Sequence, residues 1–337
     1  MMQIEHGGAL DRAMNRFGGT REVWIDLSTG INPEVFPLPP IALDVWNRLP
    51  DEGLLASALD AARSYYGVAD EAAIAAAPGT QALIQIMPDL AERGEVAIIG
   101  PTYQEHQSSF EQAGWKVSLC DNVDAIAHTA KVAVIVNPNN PDGRTVAKDA
   151  LVNLAETLRM RGGFLIVDEA FADPHPETSI AFHCGGDGLI VLKSFGKFFG
   201  LAGLRLGFAL TSPDIGARLT RRMGPWAVSG PALAVAKHAF TDKAGLRAFT
   251  DRLTHRRGLL SAVFTKLGLK EIGGTHLFAL VEHERAHALF EALCAQHLLV
   301  RKFAYAPHWL RFGLSLDEND AETFRQRTLI ALDVIRS

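Results

Sequence analysis

Within residues 194–207, SFGKFFGLAGLRLG, one lysine stands among small and apolar residues, with an arginine eight positions later. An amine at the end of an apolar run is costly to bury unless it has a partner or a task. Lys197 can be read as a strand-end lysine that keeps its ammonium in water. It can also be read as an amine made nucleophilic by partial desolvation, able to form a Schiff base with a carbonyl. Its neighbours favour the second reading. Gly196, Gly200, Ala202 and Gly203 let a flat molecule approach the backbone. Ser194 and Arg205 offer a hydroxyl and a guanidinium fork to a phosphate.

Other segments supply the rest of a pyridoxal-phosphate site. In FLIVDEAF, Asp168 ends an apolar run, where open α/β sheets bind ligands. It could hold a pyridinium nitrogen protonated and so make the ring an electron sink; it could equally be an aspartate that caps the next turn. In VIVNPNNPDGR the residues after Val136 are a turn by composition, and Asn140 could donate to the ring oxygen. PGTQALI places Gly79 and Thr80 between a strand and a helix, where free N–H groups and the helix dipole cradle phosphate. In GPTYQEH, Tyr103 follows a strand and could stack on the ring.

These residues need a scaffold. AAIAAA, EVAIIG, KVSLC, KVAVIV, GFLIVD, GLIVLKS and RLGFALT are short apolar runs, as expected of strands covered on both faces. Helical patterns lie between them; in TVAKDALVNLAETLRM, Leu151, Leu154 and Leu158 share a face, and Thr145 is the expected N-cap. The alternation predicts an α/β fold, a mostly parallel sheet flanked by helices. Beyond it, PALAVAKHAF, the run 243–267, RAHALFEALCAQH and ENDAETFRQRTLIALDVI read as helices, and GTHLFALV, LLVRKF and WLRFGLS as strands. The expected division is an extended glycine- and proline-rich arm over 1–35, a large cofactor-binding domain over 36–231 and a small α+β domain over 232–337.

The bulk composition excludes other classes. The chain has 337 residues, 48 % hydrophobic and 21 % charged, with net charge -5 and no long Lys/Arg run, so neither nucleic acid nor a membrane surface is an expected partner. No stretch is long and apolar enough to predict a span, and MMQIEHGGALDR lacks the apolar core of a secretory signal. Cys120, Cys184 and Cys294 are an odd number, far apart, and suggest neither a disulfide framework nor a zinc site. A cytoplasmic protein is expected. HERAH, His283–His287, matches H-E-x-x-H, but the metzincin continuation is absent and the match reads as one face of a solvated helix; no metal is expected. GLAGLRLG lacks the G-x-G-x-x-G spacing of a dinucleotide fingerprint.

Taken in order, PGT, PTY, NPNNP, DEAF and SFGKFFGLAGLR resemble the fold-type I pyridoxal-phosphate enzymes of the class I/II aminotransferase group, over nearly the whole chain. The resemblance implies that Lys197 binds the cofactor's carbonyl, Asp168 pairs with the ring nitrogen, Asn140 binds the ring oxygen and Tyr103 stacks. Gly79, Thr80, Gln81, Ser194 and Arg205 would hold the phosphate. The catalytic set would be Lys197, Asp168 and Tyr103. Relatives are usually homodimers.

Within the group, two branches are most similar: the histidinol-phosphate aminotransferases and the threonine-phosphate decarboxylases of cobalamin synthesis. HGG at 6–8, Phe171 in DEAF and LSTGINP at 27–33 favour the decarboxylases. That resemblance implies substrate contacts from His6, Gly7, Gly30, Asn140, Arg301 and Arg311, the arginines taking the two anionic ends of a phosphorylated amino acid. The chain departs from the pattern at Gly30, where relatives carry Asn, and at Leu49, where they often carry Tyr. The expected reaction is decarboxylation of O-phospho-L-threonine to (R)-1-aminopropan-2-ol O-phosphate. Transamination is the alternative, since the bond held perpendicular to the conjugated plane is the one that breaks. A non-catalytic member of the fold would be expected to lack Lys197.

Overall fold

The structure, a computed structural model, describes residues 6–336. Its helices are α1 (Leu10–Phe17), α2 (Leu43–Asn47), α3 (Glu52–Tyr66), α4 (Thr80–Ile86), α5 (Gln104–Gln112), α6 (Lys148–Met160), α7 (Phe195–Phe198), α8 (Pro213–Met223), α9 (Gly230–Thr241), α10 (Lys243–Leu267), α11 (Ala286–Ala295) and α12 (Glu318–Arg336). Its strands are β1 (Ile25–Asp26), β2 (Ala73–Ala77), β3 (Glu95–Ile99), β4 (Lys116–Cys120), β5 (Ala130–Val136), β6 (Phe164–Asp168), β7 (Leu189–Ser194), β8 (Gly207–Thr211), β9 (Lys270–Thr275), β10 (Phe278–Glu282), β11 (Leu298–Leu299), β12 (Arg301–Phe303) and β13 (Ala306–Phe312). The described residues form two compact units: 36–140 with 144–247, and 6–35 with 141–143 and 248–336.

The larger unit is built on a seven-stranded sheet in the order β2-β8-β7-β6-β5-β3-β4. All neighbours run parallel except β8, which is antiparallel to both β2 and β7. Every residue of β6, β7 and β8 is buried, which explains why these strands read as continuous apolar runs and not as alternations. Val96, Ile98, Val132, Val134, Ile166, Ile190 and Leu192 form one core with Leu83 of α4 and Met87 just after it. Leu151, Leu154 and Leu158 are the buried face of α6, but that helix starts at Lys148 with Ala147 at its N-cap and no side-chain cap. Thr145 therefore lies outside it: residues 144–147 stay extended because the Val146 N–H donates to Asn137 Oδ1 at 2.9 Å.

The smaller unit carries a four-stranded antiparallel sheet, β12-β13-β10-β9, and a parallel bridge of β1 with β11. GTHLFALV is two elements: β9 ends at Thr275, and β10 starts at Phe278 after a turn in which the Leu277 N–H donates to the Thr275 hydroxyl at 3.0 Å. The first segment is not simply extended. Leu10, Ala13, Met14 and Phe17 recur at helical spacing and form α1, burying Leu10 and Ala13.

Candidate active site

In the larger unit the expected phosphate residues converge on the start of α4. Gly79 has φ +84 and is its N-cap, a conformation that an L side chain rarely adopts. A Cβ at Gly79 would stand 2.6 Å from Arg205 Nη2, and one at Gly207 would stand 2.5 Å from the Thr80 nitrogen. The two glycines thus let the Arg205 guanidinium, the turn before α4 and the backbone of β8 close on one point. Arg205 takes a left-handed φ of 54, and its Nη1 donates to the Ala202 carbonyl at 3.2 Å. Free first-turn amides beside an arginine make a receptor for an oxyanion.

Ser194 ends β7, paired with Gly207 of β8. Lys197 follows in the short α7 and is partly exposed, whereas the rings of Phe195, Phe198 and Phe199 around it are buried. Those phenylalanines fix the turn; within α7 the lysine is the side chain left with access to solvent. In the loop after β5, Asn137 and Asn139 are buried structural residues. Asn139 accepts from the Thr102 hydroxyl at 2.6 Å and donates to the Pro101 carbonyl at 3.0 Å. Asn140, next in the chain, is the half-exposed member.

Asp168 closes β6 and is 3 % exposed. Its Oδ1 accepts from the Ala170 N–H at 3.0 Å, and its Oδ2 lies 2.9 Å from His106 Nε2. His106 is fully buried, and its Nδ1 has no hydrogen-bond partner. A proton on Nε2 would be donated to Asp168. His106 sits three residues after Tyr103, the N-cap of α5, and the rings meet edge to face at 6.1 Å. Sequence reasoning missed His106. The i, i+3 spacing from the stacking candidate was the available signal. Gln81 was expected at the phosphate; its side chain is engaged with Tyr103 and Glu105, leaving its backbone N–H for the cradle. The set fits pyridoxal phosphate on two counts: the cradle would be filled by a Cβ at Gly79, and Asp168 is a buried carboxylate with no Lys or Arg partner among the described residues.

The smaller unit holds the expected substrate arginines. Arg301 and Arg311 are direct cross-strand partners of β12 and β13, so their side chains leave the same face. Like charges placed so are destabilising, and Arg311 is only 6 % exposed. Burial first, and then the positive charge of Arg301, pull the Arg311 guanidinium down to about 10. An anion between them would reverse that cost. Arg311 Nη2 donates to the Ser28 carbonyl at 2.9 Å, and the Gly8 N–H donates to Ser28 Oγ at 2.7 Å, so the HGG arm and Arg311 share one anchor. Gly30 is buried two residues on. His6, Gly7, Arg12, Arg16, Arg301 and Lys302 line a cleft of about 160 Å³.

HERAH is not one helical face. His283 follows β10 and precedes α11, its Nδ1 accepting from the Arg285 N–H at 3.0 Å. The i, i+4 geometry that a zinc helix requires is lost because the helix begins only at Ala286. Among the described residues, no three His, Cys, Asp or Glu side chains group as metal ligands.

The Aminotransferase class I and II family matches residues 42–327. A threonine-phosphate decarboxylase of Sinorhizobium sp is 46 % identical over 93 % of this chain and 94 % of its own length. One from Pseudomonas aeruginosa is 40 % identical over 94 % of each. A histidinol-phosphate aminotransferase of Aeromonas salmonicida is 28 % identical over 88 % of this chain and 87 % of its own. Among solved structures, the histidinol-phosphate aminotransferase of Sinorhizobium meliloti in complex with pyridoxal-5'-phosphate superposes with a TM-score of 0.84 at 19 % identity, covering 99 % of this chain and 96 % of that one.

Proposed function

The chain belongs to the class I and II aminotransferase family, and from that premise we propose that it is a pyridoxal-phosphate-dependent threonine-phosphate decarboxylase. It releases CO2 from O-phospho-L-threonine and yields (R)-1-aminopropan-2-ol O-phosphate for cobalamin synthesis. The observation that carries this is the 46 % and 40 % identity with two decarboxylases along nearly the whole chain, against 28 % with an aminotransferase.

Pyridoxal phosphate supplies, when bound, an electron sink for the charge left on Cα when CO2 departs. The residues do the rest. Gly79, Thr80, Gln81 through its backbone, Ser194 and Arg205 bind the cofactor's phosphate. Asp168, oriented by His106, keeps the ring nitrogen protonated. Tyr103 orients the ring and Asn140 holds its oxygen. Lys197 anchors the cofactor and then carries a proton to Cα. Arg301, on the cleft lined by His6 and Gly7, takes the substrate's phosphate, and Arg311 its carboxylate; Gly30 contributes backbone only. Orientation of the carboxylate selects decarboxylation over transamination.

The proposal extends to a cytoplasmic homodimer. Leu43, Trp46, Leu49 and Trp226 are 60–84 % exposed, an apolar set suited to a second copy. The three cysteines are unpaired and buried, which suits a reducing compartment. No described helix is long and apolar enough to cross a membrane.

The deciding experiment gives the purified protein pyridoxal phosphate and O-phospho-L-threonine without an oxo acid, and measures CO2 and the amine over time. Steady release that disappears in Lys197→Ala is expected. Turnover only with histidinol phosphate and 2-oxoglutarate would replace the reading with an aminotransferase.

A further inference from the structure

The start of α4 and the start of α5 are joined by a directed chain of hydrogen bonds. Gln81 Nε2 donates to Glu105 Oε2 at 2.7 Å, and Gln81 Oε1 accepts from the Tyr103 hydroxyl at 3.2 Å. The carboxylate of Glu105 can only accept, so it fixes which end of the Gln81 amide faces it. The amide oxygen is then turned to Tyr103, and the phenol must be the donor. A ring held by stacking alone can slide and tilt; one tied at its hydroxyl keeps one position.

We propose that Gln81 and Glu105 are positioning residues that lock the Tyr103 ring in the orientation in which it stacks on the pyridine ring of the cofactor, coupling that ring to the phosphate cradle one residue before Gln81. Neither residue touches the reacting atoms. The inference rests on the pyridoxal-phosphate reading of this site and adds to it a chain-specific control over cofactor geometry.

The test uses Tyr103→Phe, Gln81→Leu, the double variant and Glu105→Gln. It measures the pyridoxal-phosphate Kd, the visible circular dichroism of the bound cofactor, and the melting of the cofactor-free protein. One neutral hydrogen bond corresponds to about a fivefold change in Kd. Tyr103→Phe and Gln81→Leu should each weaken binding about fivefold and change the dichroism alike. The double variant should do no more than either, because both break the same link. Glu105→Gln offers Gln81 a donor as well as an acceptor and so no longer fixes its amide; it should change the dichroism in the same sense, with a smaller loss of Kd than either of the other single variants. Unchanged Kd and dichroism in Tyr103→Phe, additive losses in the double variant, or effects confined to melting would each overturn the proposal. Failure of the parent protein to bind the cofactor would instead overturn the reading beneath it.

Discussion

Asp168 and Glu169 are consecutive carboxylates at the end of one strand, both almost fully buried, at 3 % and 1 % exposure. Their surroundings differ in kind. Glu169 pairs with Lys193 Nζ at 2.5 Å, accepts from the Ser179 hydroxyl and accepts from the Ile180 N–H at 2.9 Å. Lys193 is itself 2 % exposed, donates to Ser179 Oγ at 3.1 Å and lies 4.9 Å from the centre of the Tyr66 ring. That charge is balanced inside the chain. Asp168 has a backbone N–H and a histidine, but no Lys or Arg among the described residues. A buried carboxylate lacking a fixed cation is expensive unless a positive group arrives with a ligand. The contrast sets a charge balanced within the chain against one that no Lys or Arg among the described residues balances.

Asp168→Asn should therefore have the largest effect on chemistry. It removes the anion proposed to keep the ring nitrogen protonated and should lower CO2 release on the order of 10³-fold, with melting of the cofactor-free protein nearly unchanged. Decarboxylation within about tenfold of the parent would mean that Asp168 is as structural as its neighbour.

Glu169→Ala should reverse the pattern. Leaving Lys193 buried and unpaired should cost about 3–5 kcal/mol of stability, while the folded fraction retains turnover within a few-fold. Replacing both partners, Glu169→Leu with Lys193→Met, should recover most of that stability, since no lone charge is left behind. Denaturant unfolding reads Glu169→Ala, the double variant and its two single replacements. A double variant as unstable as the sum of the singles would remove the ion-pair account of the loss.

Much of this contrast lies beyond what the sequence discloses. The strands were legible because burial on both faces leaves continuous apolar runs, and Asp168 because it ends one of them. Lys193 sits within LIVLKS and looks like an ordinary strand end. Only the parallel register of β6 and β7, which pairs Asp168 with Leu192, brings Glu169 and Lys193 together. The helical face of α1 was hidden by the glycines around it. HERAH misled for the opposite reason: a pattern of letters implies i, i+4 geometry only inside a helix, and the helix starts too late. Nothing in the sequence places Arg301 opposite Arg311 until the β12–β13 hairpin is known.

His106 tests the working side more finely. His106→Phe keeps a buried ring but removes the donor to Asp168 Oδ2. A lost hydrogen bond to a charged group is worth about 1.5–3 kcal/mol, so kcat/KM should fall about 10- to 100-fold, with a shift in the cofactor's visible absorption. A fall in thermal stability with no spectral shift would make His106 a packing residue.

Asp173 tests the structural side through the pH dependence of stability. It is buried, within electrostatic reach of the Lys193–Glu169 pair and of Tyr65 and Tyr66, and its Oδ2 and the Tyr66 hydroxyl lack hydrogen-bond partners among the described residues. Burial, reinforced by the negative charge of Glu169 and opposed by the positive charge of Lys193, raises its carboxyl to about 7. In the unfolded chain the same group loses its proton near the ordinary aspartate value of about 4. Between these values the native state binds more protons than the unfolded one. Its contribution to stability is therefore greatest below about pH 4, falls as pH rises to about 7 and is flat above that. Asp173→Asn cannot ionise and lacks this slope. Urea unfolding at pH 5 and pH 8 should show the variant gaining on the parent as pH rises. Parallel pH dependences would mean that Asp173 is ionised in the folded protein throughout. The structural side would then carry two negative charges against one lysine, and it would no longer be the self-balanced half of the comparison.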